Sequence, residues 1–215
     1  MPGRPTGDDA LAADPFDWQV TKAGRVLVFR GGRQVVAVGG RAGLKLATQL
    51  EGVDEAAGDA VEQATGLVSR LEWATTVADA DEAFERLAAL DEVRGTPGAI
   101  GFCFGGGLAF NVAADVAPAV LVSYYGSGLP DLLGLAPQVI CSSLHHFGTT
   151  DDYIPTDVVR TITEAVTADG RPARVELHEG ANHAFDNDDF FLHHPEASAR
   201  AWQQTLAFLG EQLPV

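Results

Sequence analysis

Beyond residue 98 the chain alternates short, nearly unbroken apolar runs with longer stretches in which apolar residues recur every three or four positions. Ala99 to Phe102, Ala119 to Tyr125 and Val139 to Phe147 are runs of strand length, and Arg174 to Leu177 is a shorter one. Runs that are apolar at successive positions suit strands covered on both faces, as in a parallel sheet sandwiched by helices. Between them, Leu108 to Ala114 is compatible with a helix. Val158, Val159, Ile162 and Val166 stripe another that Gly170 stops, and Trp202, Leu206, Leu209 and Leu213 stripe the last. Upstream, Val77, Ala80, Phe84 and Leu87 mark an amphipathic helix ending near Leu90. Strands alternating with helices predict an α/β fold with a mainly parallel sheet and helices on both faces.

The front of the chain has a different rhythm. Trp18 to Thr21, Arg25 to Arg30 and Arg33 to Val38 are β-prone runs separated by Lys22-Ala23-Gly24 and by Gly31-Gly32. A Gly-Gly pair between such runs signals a hairpin, because both residues accept positive φ. A small antiparallel meander is therefore expected there. Leu44, Leu46, Ala47 and Leu50 suggest a short helix, and Asp54 can cap the next, with Val61, Ala64, Leu67, Val68 and Leu71 on its buried side. Met1 to Pro15 is polar and reads as a flexible tail. The expected organisation is tail over 1–15, an atypical meander and helical segment over 16–65, and the α/β body over 66–215.

Composition narrows the classes. The 215 residues are 46% hydrophobic and 20% charged, enough for one sizeable core, and no apolar run is long enough to span a bilayer. A net charge of −16 argues against nucleic acid or an anionic membrane as partner. The first residues lack the apolar centre of a secretory signal, so a cytoplasmic location is expected. Two cysteines, Cys103 and Cys141, make no disulfide framework.

Candidate chemistry centres on Gly101-Phe102-Cys103-Phe104-Gly105-Gly106, where a strand breaks into a helix. This is the pattern of a nucleophile elbow, with Gly101 and Gly105 both expected to avoid collisions with neighbouring backbone. Two further reactive residues follow strands: Asp151 after the run ending at Phe147, and His183 after the one ending near His178. Ligand sites of parallel sheets form at those carboxyl ends. The order nucleophile, acid, histidine is that of an α/β-hydrolase triad. A thiol needs a base or cationic neighbour to become thiolate near neutrality. His183 can take that proton, Asp151 can orient the imidazole, and the Phe104 N–H can serve as an oxyanion donor. Asp152 is the rival acid.

From about Val77 onward the chain resembles the dienelactone hydrolase family of α/β-hydrolases. The resemblance rests on the elbow, on Ser123-Tyr124-Tyr125-Gly126, on Phe147-Gly148-Thr149-Thr150-Asp151-Asp152-Tyr153-Ile154-Pro155, and on Gly180-Ala181-Asn182-His183-Ala184-Phe185. His194-Pro195-Glu196-Ala197 and Thr205 to Leu209 are also similar to that family's last helix. The resemblance implies Cys103 as nucleophile, Asp151, in preference to Asp152, as acid and His183 as base. It also implies hydrolysis of a small lactone or ester through a thioester, with no metal or organic cofactor. Upstream, the family has a parallel strand supplying an acidic residue and a second oxyanion amide. Gln34 to Val38 could serve, with Gly39 and Gly40 as donors, but the Gly31-Gly32 link favours an antiparallel partner.

Plainer roles suit other residues. Tyr124 and Tyr125 end a strand near the site, so one is expected to line the pocket and the other to pack. Cys141 reads as a core thiol in mid-strand, and Ser142 and Ser143 need partners there. His145-His146 and His193-His194 lack metal-site spacing, and adjacent strand residues face opposite ways. Trp73 reads as core, Arg70, Arg160 and Arg200 as surface charges on helices, and the aspartates from 186 to 189 as a solvated loop. Two functions are in view: a thiol hydrolase, or a hydrolase-derived body that binds without turnover.

Overall fold

The computed structural model describes residues 17–20, 26–30, 33–38, 66–67, 70–188 and 190–213. The tail over 1–15, the helix at Leu44 to Leu50 and most of the one after Asp54 lie outside them. Two compact units divide the chain, 1–83 and 84–215. In the first, β1 (Asp17–Val20), β2 (Val26–Arg30) and β3 (Arg33–Val38) form an antiparallel sheet in that order. Arg30 pairs with Arg33 and Val26 with Val38, with a register shift at Val28/Phe29. The meander read from the two glycine-bearing links is thus present, and β3 is antiparallel to its neighbour. Leu67 and Leu71 are exposed, against the buried side expected of them. Helix α1 (Trp73–Ala88), whose residues fall in both units, carries the amphipathic stripe and buries Val77.

In the second unit, β4 (Ala99–Phe102), β5 (Val120–Tyr124), β6 (Ser142–Gly148) and β7 (Ala173–His178) form a four-stranded sheet, all parallel, in chain order. Helix α2 (Phe104–Val116) connects β4 to β5, and a 3-10 stretch over Leu129–Gln138 precedes β6. Helix α3 (Thr156–Thr167) precedes β7, and α4 (Pro195–Gln212) follows it. Alternation along the strands builds two cores. Leu121 and Phe147 join Phe110 of α2, Leu129 and Ile162 of α3 on one face. Val120, Val122, Tyr124 and Leu144 join Phe185 and Ala201 and Phe208 of α4 on the other. All five residues of β5 are buried, the strand apolar on both faces that the sequence pattern requires. Among the described residues no helix is long and apolar enough to cross a membrane.

Strand β6 starts later than hydropathy suggests. Its partners begin at Val120 and Ala173, so pairing begins only at Ser142 and Ser143. Val139 instead closes the 3-10 stretch through its N–H to Ala136, and Ile140 stands 70% exposed. Cys141 therefore precedes the strand, half-buried against the first core, where burial pushes its thiol up to about 11. Ser143 Oγ lies 3.1 Å from His145 Nε2, two residues along the same face.

His145 and His146 face opposite cores. His145 meets Phe110 edge-on, whereas His146 lies against Tyr124. On the second face a buried polar chain runs from Tyr124 Oη to Thr205 Oγ1 (2.7 Å), to His146 Nε2 (3.0 Å), and from His146 Nδ1 to His178 Nε2 (3.0 Å). Burial holds His145, His146 and His178 down at about 4, 3 and 4. The Nδ1 atoms of His145 and His178 have no hydrogen-bond partner among the described residues.

The turn from β4 to α2 is tight on one side only. A Cβ on Gly101 would strike the Gly105 carbonyl and lie 2.7 Å from Gly106 N, whereas one on Gly105 meets nothing within 4 Å. Only the first of the two glycines expected to relieve collisions does so; Gly105 supplies the carbonyl that excludes a side chain at 101. Gly101→Ala is expected to cost about 1–3 kcal/mol through overpacking. That corresponds to a thermal midpoint lower by roughly 2–12 °C for a domain of this size. Gly105→Ala, in the first turn of α2, should leave the midpoint unchanged or raise it. Paired thermal melts check both.

Candidate active site

The backbone at Cys103 is forced into a region that side chains avoid. Its φ is 51° and ψ −119°, between the last residue of β4 and the first of α2. Such strain persists only where the surroundings over-determine it. Here the Cys103 N–H donates to the Tyr124 carbonyl (3.0 Å), and its own carbonyl accepts from Gly106 (2.9 Å), Gly107 (3.3 Å) and Ser127 (2.9 Å). The result lifts the sulfur off the carboxyl end of the sheet.

His183 and Asp151 converge on it. His183 Nε2 lies 3.1 Å from Cys103 Sγ, and its Nδ1 lies 2.9 Å from Asp151 Oδ2. The other carboxylate oxygen of Asp151 accepts the N–H groups of Tyr153 (2.8 Å) and Ile154 (3.0 Å). That side chain is 0% exposed and His183 8%. The loops bearing the two residues are stitched together. Thr150 N–H and Oγ1 both donate to the Ala181 carbonyl, and Gly180 N–H donates to Thr149 Oγ1. Asp152 is exposed and pairs with the Asn182 side chain, so of the two adjacent aspartates Asp151 alone bonds His183.

Electrostatics follow from this geometry. Burial pushes the Cys103 thiol up, but hydrogen bonding and charge from His183, together with Ser127 and the Phe104 N–H, outweigh it and hold the thiol below its ordinary value. Burial pushes His183 down, yet bonds to Asp151 and Cys103 and the charges of both raise it to about 9. Asp151 stays below the usual carboxylate range: burial is outweighed by His183 and by the Ile154 and Tyr153 N–H groups. The arrangement favours a thiolate beside an imidazolium, the reactive form of a cysteine nucleophile.

Around the imidazole stand two aromatic rings. Tyr125, itself at φ 36°, has its ring centroid 5.1 Å from that of His183, and Tyr153, 76% exposed, lies 4.9 Å away. Tyr124 is fully buried, with Phe102 stacked on it and its Oη bonded to Thr205, so of the two tyrosines Tyr125 borders the imidazole and Tyr124 packs. Sequence reasoning missed Ser127, whose Oγ is 3.7 Å from the sulfur, and the ring of Tyr153. Their signals are faint: a hydroxyl two residues past Tyr125, and an aromatic two past Asp151. Asp186, expected in a solvated loop, is half-buried and accepts from Ser198 Oγ at 2.7 Å. His194 caps α4 by accepting the Ala197 N–H. Arg70 sits in a turn, not a helix, with Nε donating to the Gly66 carbonyl. Gly39 and Gly40, the alternative source of a second oxyanion donor, lie outside the described residues. Among those described, no three His, Cys, Asp or Glu side chains group as metal ligands.

A sequence model of the Dienelactone hydrolase family matches residues 38–213. The carboxymethylenebutenolidase of Pseudomonas putida is 32% identical over 149 residues, 69% of this chain and 63% of its own. Carboxymethylenebutenolidase 1 of Cupriavidus pinatubonensis is 35% identical over 117 residues, 54% of this chain and 49% of its own. The chain thus spans about half to just under two thirds of the length of these curated relatives. Among solved structures, a putative dienelactone hydrolase from Klebsiella pneumoniae superposes with a TM-score of 0.59 at 27% identity, covering 67% of this chain and 64% of that one. A dienelactone hydrolase-like promiscuous phosphotriesterase from metagenomic libraries gives 0.57 at 23% identity, over 87% and 74%; at that identity the likeness is one of fold.

Because the Asp151 carboxylate sustains the charged form of His183, Asp151→Asn is expected to lower the pKa of His183 and raise that of Cys103. A hydrogen bond to a charged group contributes about 1.5–3 kcal/mol, so each shift should be about one unit or more. Titrating the thiolate absorbance in native protein and variant checks this; coincident curves would contradict it.

Proposed function

The chain belongs to the dienelactone hydrolase family, and on that footing we propose that it is a thiol hydrolase cleaving a small lactone or carboxylic ester through a Cys103 thioester. The observation that carries the reading is the unbroken chain from Asp151 Oδ2 through His183 to the Cys103 sulfur, with separations of 2.9 and 3.1 Å. In acylation, the sulfur attacks the acyl carbon and its electron pair forms the carbon–sulfur bond. The carbonyl oxygen becomes an oxyanion facing the Phe104 N–H. Collapse breaks the acyl carbon–oxygen bond, and the Nε2 proton of His183 passes to the leaving oxygen. Water then adds to the thioester as His183 takes back a proton, and the carbon–sulfur bond breaks to release the acid and restore the thiolate. Throughout, Asp151 keeps Nδ1 hydrogen-bonded and so fixes which nitrogen faces the sulfur.

Unpaired Cys103 and Cys141 suit a reducing, cytoplasmic setting. The ring of Tyr153, 76% exposed and 4.9 Å from the imidazole between centroids, offers a small acyl group an apolar wall.

Aryl esters and simple lactones are the substrates for the test, with Cys103→Ala assayed in parallel. Turnover by the native protein, reduced at least about a thousandfold in the variant, is expected. Absence of turnover would favour a hydrolase-derived binding protein, and turnover retained without the thiol would remove Cys103 from the reaction. Independently of substrate, Cys103 should react rapidly with iodoacetamide near neutral pH, and His183→Ala should slow it about tenfold or more. Equal rates would dismantle the triad.

A further inference from the structure

The loop leaving β5 brings a hydroxyl to the far side of the Cys103 sulfur. Ser127 Oγ lies 3.7 Å from Sγ, a hydrogen-bonding separation for an atom as large as sulfur. The position is fixed by backbone alone. Ser127 N–H donates to the Cys103 carbonyl at 2.9 Å, and the Ser127 carbonyl fills the space that a Cβ on Gly107 would need. Residue 127 is thereby clamped to the first turn of α2 through its main chain, which leaves its side chain free to serve the sulfur.

We propose that Ser127 is a dedicated donor to the Cys103 thiolate, stabilising the sulfur before it attacks and again as it departs from the thioester. The inference rests on the reading of Cys103 as nucleophile. A thiol can give its own proton to Oγ; a thiolate has none, so the bond reverses and the serine O–H donates to sulfur. Three donors then surround the charge: His183 Nε2, the Phe104 N–H and Ser127 Oγ. Two of them are called away during turnover. The His183 proton goes to the leaving oxygen, and the Phe104 N–H is the donor for the oxyanion. Ser127 alone of the three has no second duty, so it faces the sulfur at every stage. When the carbon–sulfur bond breaks and negative charge returns, it donates beside the His183 that has just regained its proton. In the thioester the sulfur is neutral and accepts weakly, so the hydroxyl favours the charged states over the intermediate.

Among the described residues, the titratable groups about the sulfur are His183, with Asp151 behind it, and Tyr125. Removing the hydroxyl leaves all three in place, which gives its loss a distinctive signature. The apparent pKa of Cys103 should rise by about one unit, the effect of one hydrogen bond to a charged group. A more basic thiolate is also a better nucleophile, so the plateau rate with a disulfide should rise about threefold at high pH while the rate below neutrality falls by a similar factor. Structural damage would lower the rate at every pH.

The experiment follows reaction of the full chain with a neutral pyridyl disulfide across pH, with Cys103→Ala as the blank for Cys141. Ser127→Ala and Ser127→Val should show the shifted pKa and the raised plateau, and Ser127→Thr, the size of Val but bearing a hydroxyl, should follow the native protein. The Thr and Val pair carries the test should the Ala variant not fold. Matching profiles for Thr and Val, or a uniform loss at all pH values, would overturn the proposal. His183→Ala separates the two levels. If it raises the Cys103 pKa while the Ser127 variants do not, only the role of Ser127 fails. If native Cys103 titrates as an ordinary thiol and His183→Ala leaves it unchanged, the nucleophile reading fails and the donor role with it.

Discussion

A reversal of the backbone so tight that the carbonyl of Gly105 occupies the place of a side chain on Gly101 is the constraint from which the site is built. It puts Cys103 at φ 51°, on the brow of the turn, where its sulfur projects while its main chain is held by four hydrogen bonds. Sheet order does the rest. Because β4, β5, β6 and β7 are parallel and consecutive, their carboxyl ends line up, and the residues following three of them meet. A one-residue slip in any of these registers would turn that strand's buried side chains to the opposite face and carry the loop after it out of place. The fully buried β5 is the reference on which both neighbouring registers depend.

Within that frame the electrostatics concern the placement of a single proton. Burial opposes charge on the sulfur, the imidazole and the carboxylate alike, and each is nevertheless shifted toward its charged form by its neighbours. The carboxylate is the anchor, since it accepts two main-chain N–H groups as well as the imidazole. Those N–H groups carry no proton that can leave, so the negative charge at Asp151 is tied to the course of the backbone after β6. The stitching of Thr149 and Thr150 to the histidine loop makes the two loops one support.

The parallel body was readable because its strands are apolar on both faces and its helices striped, and the order of Cys103, Asp151 and His183 was readable because each follows a strand. What hydropathy cannot see is pairing. Val139, Ile140 and Cys141 look like strand, yet no strand residue pairs with them, and the segment stays outside the sheet. Composition misleads in the same way at Asp186, which sits among aspartates but bonds Ser198 under partial cover. The choice of Asp151 over Asp152 came from the resemblance alone; the backbone course that turns one carboxylate inward leaves no mark in the residue types. Ser127 was invisible for a similar reason: its approach to the sulfur comes from a main-chain clamp, which leaves no mark in residue type. Gly105 shows the converse, a motif glycine whose own Cβ would have met no obstacle.

The buried histidines on the two sheet faces have a consequence for how the chain exchanges protons with water. His145, His146 and His178 titrate near 6.5 when unfolded and at about 4, 3 and 4 when folded. Their depressed values favour the folded state fully above pH about 6.5, and that preference is lost as pH falls toward the folded values. Folding in mildly acidic water must therefore expel up to three protons, one for each of these rings. Near neutrality the account is different. There His183 is raised to about 9 and the Cys103 thiol is lowered, so folding favours a proton held on the imidazole and one shed from the sulfur, two changes that oppose each other in the exchange with solvent.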